Sequence, residues 1–137
     1  MRFDDLAVGM AATMAKTVTE ADVVACAGLS GDFNPVHVDA EAAARSRFGG
    51  RIAHGLLSAS FISATIAMKL PGPGTIYLGQ TLRFTRPVKL GDTITARVEV
   101  RELVAAKRRV VLATTCTNQL GETVIDGEAT VLVPDDA

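Results

Sequence analysis

The apolar positions of this chain change their period near residue 75. After that point they alternate. Ile76, Leu78, Leu82 and Phe84 interleave with Tyr77, Thr81, Arg83 and Thr85. Ile94, Ala96, Val98 and Val100 interleave with Thr95, Arg97, Glu99 and Arg101. Arg109 to Asn118 and Glu122 to Val133 are two more such runs. A period of two predicts strands with one packed face and one wet face. Gly91-Asp92, the polar stretch near Ala105 to Lys107, and Gln119-Leu120-Gly121 supply the turns. Consecutive strands joined this way predict an antiparallel meander, which an earlier strand from Ala11 to Val18 can join.

Before residue 75 the spacing is helical. Thr19-Glu20-Ala21-Asp22 predicts a helix start, with Thr19 as cap and acids in the first turn. That helix would turn Val23, Val24 and Ala27 inward and end near Gly28 or Ser30. Asp39 is placed to cap a short helix from Ala40 to about Arg47, which Gly49-Gly50 breaks. Gly55 to Lys69 is apolar nearly all round, the mark of a buried helix. In a short chain, a sheet wrapped around that helix is the simplest way to bury it. Pro71-Gly72-Pro73-Gly74 ends it.

Composition narrows the class. With 137 residues, 48% hydrophobic and 21% charged, the chain is expected to form one globular domain over residues 1–137. A net charge of -1 gives no reason to expect a nucleic-acid or membrane partner. Eight of the 14 Lys and Arg fall between Arg83 and Arg109, the pattern of a charged wet sheet face. Cys26 and Cys116 lie in apolar segments and read as small buried hydrophobes in a reducing compartment. The start lacks a signal-peptide run, and Gly55 to Leu70 is too short and polar to span a bilayer, so a cytoplasmic protein is expected.

The candidate chemistry is concentrated in Gly31-Asp32-Phe33-Asn34-Pro35-Val36-His37. Pro35 fixes its own φ and holds Asn34 extended, so a rigid bend can aim Asp32 and His37 into one small volume. A carboxylate and a neutral imidazole there can hold a water and move its protons. For the spacing taken alone, Asp32 capping a turn with His37 structural is the better explanation. His54-Gly55 adds a helix N-terminus, where an amide approached closely by a ligand can stabilise an oxygen gaining negative charge. Ser63 lies eight residues beyond Gly55, at roughly the same helix face, and can support a catalytic side chain. Ser58 and Ser60 compete for that role. No metal-ligand spacing, phosphate-binding loop, dinucleotide-binding glycine pattern or nucleophilic-serine elbow is present.

Taken together, Gly31 to Asp39, then Ile52-Ala53-His54-Gly55-Leu56-Leu57, Pro73 to Gln80, and Pro87-Val88-Lys89-Leu90-Gly91-Asp92 resemble the hydratase signature of MaoC-like proteins, over about Phe3 to Val133. The likeness is greatest to bacterial single-domain (R)-specific enoyl-CoA hydratases of the kind that feed polyhydroxyalkanoate synthesis. The resemblance implies an α+β hot-dog fold, with an antiparallel sheet wrapped around a long central helix, and a homodimer joined sheet edge to sheet edge. It assigns Asp32 and His37 as the acid/base pair that holds water. Gly55 becomes the amide donor to the thioester oxygen, and Ser63 the support from the central helix. The implied reaction is reversible syn hydration of a trans-2-enoyl-CoA. No metal or redox cofactor is implied, because coenzyme A arrives as part of the substrate. A hot-dog thioesterase and a non-catalytic acyl-CoA-binding subunit are the alternatives. Acyl length is expected to depend on how Ile62, Ile66, Leu78 and the loop from Pro71 to Gly74 pack.

Overall fold

The computed structural model describes residues 1–135. Its strands, β1 (Ala11–Thr17), β2 (Ile76–Phe84), β3 (Thr93–Val104), β4 (Arg109–Thr117) and β5 (Thr123–Leu132), form one five-stranded antiparallel sheet. The helices are α1 (Glu20–Ser30), α2 (Pro35–Val38), α3 (Ala40–Ala44) and α4 (Gly55–Met68). The α+β architecture expected from the change of period is the one observed.

Alternation builds the core directly. β3 buries Ile94, Ala96, Val98 and Val100; β4 buries Val110, Leu112, Thr114 and Cys116. That face packs on α4, chiefly through β3. α4 answers with Ser58, Ile62, Thr65 and Ile66, spaced to share one face. The expectation of burial all round is corrected here, because Leu56 and Met68 are 68% and 66% exposed. A single sheet layer covers one side of a helix and leaves the other to solvent or a partner.

The simple meander is also corrected. β3, β4 and β5 follow one another as neighbours, but the sheet order is β1-β3-β4-β5-β2. β2 therefore pairs with β5, and the segment after it crosses to the far side of the sheet. Val88 is buried in that crossover, and its carbonyl accepts a hydrogen bond from the Ala53 amide at 2.7 Å. Ile52 and Lys89 form an isolated antiparallel bridge beside it. The crossover acts as a strut against the start of α4, a role its Gly91-Asp92 turn signal did not reveal.

Thr19 caps α1 as expected. Its hydroxyl accepts from the Asp22 amide at 3.2 Å, and the Asp22 carboxylate accepts from the Thr19 amide at 3.0 Å. Val23 and Ala27 are buried, but Val24 is 53% exposed, one step around the helix from the buried stripe. Asp39 caps α3 through the amides of Glu41 and Ala42, and the helix stops at Ala44, short of Arg47.

Cys116 is fully buried as expected, and its thiol lies 3.6 Å from the Ser58 carbonyl. Burial pushes it from its ordinary 9.0 up to about 12. The unfolded chain releases this proton first, so the thiol's contribution to stability is complete below pH 9.0 and is lost as pH rises toward about 12. Denaturant titrations over that window should show a steeper alkaline loss for the unaltered protein than for Cys116→Ala. Equal slopes would show that burial does not raise the Cys116 thiol in the folded protein.

Candidate active site

The loop that follows α1 is built from side-chain caps. Gly31 takes φ 81°, a left-handed conformation that ends the helix, and its amide returns to Ala27. The Asp32 amide then donates to Ser30 Oγ at 3.1 Å. Asp32 Oδ1 accepts from the Asn34 amide at 3.1 Å, and Asn34 Oδ1 accepts from the Val36 amide at 3.3 Å. Pro35 opens α2, where its missing N–H costs nothing. These bonds leave Asp32 Oδ2 facing the ring of His37.

His37 is buried and Asp32 is half-exposed. Asp32 Oδ2 lies 3.8 Å from His37 Nε2. The other ring nitrogen, Nδ1, lies 2.8 Å from the Ile52 carbonyl oxygen. A carbonyl only accepts, so Nδ1 carries the proton and Nε2 presents a lone pair to the pocket. Arg51 fixes the same turn from behind. Its Nε donates to the His37 carbonyl and its guanidinium pairs with Glu20, both at 2.6 Å.

His54 is a neighbour that the sequence motif contained but the sequence reading gave no role of its own. Its ring stacks on His37 at 3.9 Å, with 25° between planes. His54 Nε2 lies 2.9 Å from the Asp32 carbonyl oxygen and donates to it. One residue further on, Gly55 opens α4 with an amide that has no acceptor inside the helix. A Cβ built at Gly55 would stand 2.7 Å from the Phe84 ring, so that ring lies against the helix start. Phe84 ends β2, and nothing in its alternation signalled a part in the site.

Asp32, His37, His54 and Gly55 line one cavity of about 750 Å³. Ser58, Phe84, Val88, Val124 and Ile125 also line it. Its apolar wall comes from β5 and the crossover. Ile62 and Ile66, expected to set its depth, belong to the core, and Leu78 lines a separate groove. Ser63 is likewise placed elsewhere, in that groove beside Ala59, Tyr77 and Gln80. Ser58 and Ser63 are five residues apart, roughly 140° around a helix, and cannot share a face. Cys26 also departs from the sequence reading: it is half-buried and lines the main cavity. Partial burial, with the nearby Asp32 carboxylate, holds its thiol above the usual range.

Asp32, His37 and His54 place potential ligand atoms within 4.8 Å of one another, a cluster that linear spacing does not disclose. His37 Nδ1 and His54 Nε2 are already committed to carbonyls. The remaining lone pairs lie in the planes of two stacked rings, and stacked rings do not converge on one ion. The arrangement suits the handling of a water and its protons better than metal ligation.

A sheet folded about one helix, with a polar loop beside that helix's N-terminus, defines a hot-dog protein. The chain belongs to the MaoC like domain family, whose pattern it matches over residues 7–122. It is 52% identical to a Rhodospirillum rubrum protein named (R)-specific enoyl-CoA hydratase, across 96% of this chain and 91% of that one. It superposes on the R-hydratase PhaJ1 of Pseudomonas aeruginosa with a TM-score of 0.93 and 53% identity, covering 98% and 86% of the two chains. The (R)-hydratase of Aeromonas caviae, described as involved in PHA biosynthesis, gives a TM-score of 0.92 at 45% identity, covering 94% and 98%.

Gly55→Ala should destabilise the fold by about 1–3 kcal/mol, because the new methyl meets the Phe84 ring. In a Phe84→Ala background that cost should largely disappear. A double-mutant cycle read by denaturant unfolding checks the coupling, and additive costs would exclude the contact.

Proposed function

We propose that this protein is an (R)-specific enoyl-CoA hydratase, adding water reversibly to trans-2-enoyl-CoA to give (R)-3-hydroxyacyl-CoA. The relatives named above support the substrate class. The observation that carries the chemistry is the 3.8 Å gap between Asp32 Oδ2 and His37 Nε2. Both atoms accept hydrogen bonds, so one water between them donates a proton to each. Its lone pairs then point away from the pair, toward a carbon presented in the cavity.

The rest of the site supplies the complementary polarity. The thioester oxygen lies at the Gly55 amide, where the N-terminus of α4 adds partial positive charge. As water oxygen bonds to C3, one water proton passes to the pair and electron density moves through the conjugated system onto the thioester oxygen. A proton is delivered from the same side to C2, the carbon–oxygen double bond reforms, and water's atoms are added syn. No electrons leave or enter the system, so this reading requires no cofactor beyond the coenzyme A of the substrate. Whether Asp32 or His37 returns the proton is immaterial to the net balance.

The same reading extends to assembly and setting. β2 is one of the two sheet edges, the other being β1, and Ile76, Tyr77, Leu78 and Phe84 on β2 are exposed. Leu56 and Met68 add to that surface from α4. An unpaired apolar edge favours a second copy, β2 to β2, which would also cover the groove holding Ser63. Any support Ser63 gives the reaction acts from that groove. A cytoplasmic setting fits the free Cys26 and Cys116, and among the described residues no helix is long and apolar enough to cross a membrane.

Incubation with crotonyl-CoA should consume the conjugated enoyl absorbance without releasing free thiol. Thiol release without hydration would replace this reading with a thioesterase. Asp32→Asn keeps the loop's shape but removes a proton acceptor, and should lower kcat by at least ~100-fold; near-normal turnover would sink the water-clamp assignment. Sedimentation should give a dimer mass, with Leu78→Asp shifting it toward monomer. A monomeric unaltered protein at assay concentration would exclude the edge-paired dimer.

A further inference from the structure

His37 stands on α2, a helix of one turn, and a single turn does not hold itself in water. Two consecutive residues fix it from outside. The Ile52 amide donates to the Val36 carbonyl at 3.0 Å, and the Ile52 carbonyl receives His37 Nδ1 at 2.8 Å. Arg51 Nε donates to the His37 carbonyl at 2.6 Å. That carbonyl lies in the last turn of the helix, where no further turn supplies a donor. Arg51 is the one side chain outside α2 that takes part in these three bonds.

Arg51 is itself held. Its Nη1 pairs with the Glu20 carboxylate at 2.6 Å, and only 17% of its side chain is exposed. Glu20 opens α1, so the guanidinium spans from that helix to the main chain of His37. Nε and Nη1 are separate donors on one rigid planar group, so the two acceptors fix its plane as well as its position. A lysine there would place a methylene where Nε stands. It would keep the charge and lose the donor at that point.

We propose that Arg51 is a positioning residue for hydration. It holds the His37 main chain so that Nε2 faces Asp32 Oδ2 across the 3.8 Å gap that one water fills. Arg51 does not line the cavity, so it acts through His37 and not on the reacting atoms. Its loss lets α2 shift, and the two acceptors then no longer meet the same water. Misplacement of this kind slows the bound complex without weakening its formation. The inference rests on the hydratase reading and deepens it, because it adds to the same site a residue from outside the cavity.

The test measures kcat and KM for crotonyl-CoA in Arg51→Met and Arg51→Lys, alone and combined with His37→Gln, at a temperature where circular dichroism shows each variant folded. Arg51→Met should lower kcat by roughly 10- to 100-fold and change KM by less than about 3-fold. Arg51→Lys should melt closer to the unaltered protein yet keep a kcat deficit of roughly 10-fold, because charge alone does not replace the Nε donor. Should Arg51→Met not fold, Arg51→Lys carries the same test. In the His37→Gln background either Arg51 change should cost less than about 2-fold, since no imidazole is left to position. Unaltered kcat in a folded Arg51 variant, full restoration of kcat by lysine, a loss confined to KM, or multiplied losses in the double variant overturns the proposal while leaving hydration intact. Failure of the unaltered protein to hydrate crotonyl-CoA overturns the hydratase reading itself, and this proposal with it.

Discussion

The site depends on one short run of extended backbone, Ile52 to His54, that is bonded on both sides. On one side the Ile52 amide donates to the Val36 carbonyl, and the Ile52 carbonyl receives the His37 ring. On the other side the Ala53 amide donates to Val88 in the crossover. Ala53 and His54 are buried, so these bonds are made out of water and leaving one unmade is expensive. The run therefore fixes the His37 tautomer, the entry angle of α4 and the position of the crossover together. A shift in any one of these partners disturbs the other two.

Around this run the polar loop is specified by local chemistry. Thr19, Asp32, Asn34 and Asp39 each satisfy backbone amides within three residues of themselves. Pro35 and the left-handed Gly31 remove the alternatives. That is why a loop with an exposed carboxylate holds its shape. His37 adds the long-range tie, and stacking with His54 places both imidazoles on the same side of the helix start.

Much of this was legible in the sequence because it is local. The strands followed from alternation, α1 and α3 from their caps, and the Asp32–His37–Gly55 grouping from the motif that carries it. What was not legible depends on how distant elements meet. Phe84 and Ile125 alternate like any half-buried strand residues, and only the β2–β5 pairing makes them cavity wall. Ser63 and Ser58 are indistinguishable as serines on an apolar helix. Their phases decide which one faces the cavity, and that phase is set by burial of Ile62 and Ile66 against β3 and β4. The exposed side of α4 was invisible for a related reason, since an apolar stripe reads alike whether it meets a core or a second copy.

The crossover has a consequence for the order in which the protein can be completed as it is synthesised. β2 precedes β3 and β4 in the chain, but its partner in the sheet is β5, which follows them. The polar loop and α4 emerge first and can take up their local bonds before any cavity exists. Phe84, Val124 and Ile125 come together only when the final strand closes the sheet between β4 and β2. A nascent chain thus carries Asp32 and His37 before it has the walls that Phe84, Val124 and Ile125 give the cavity.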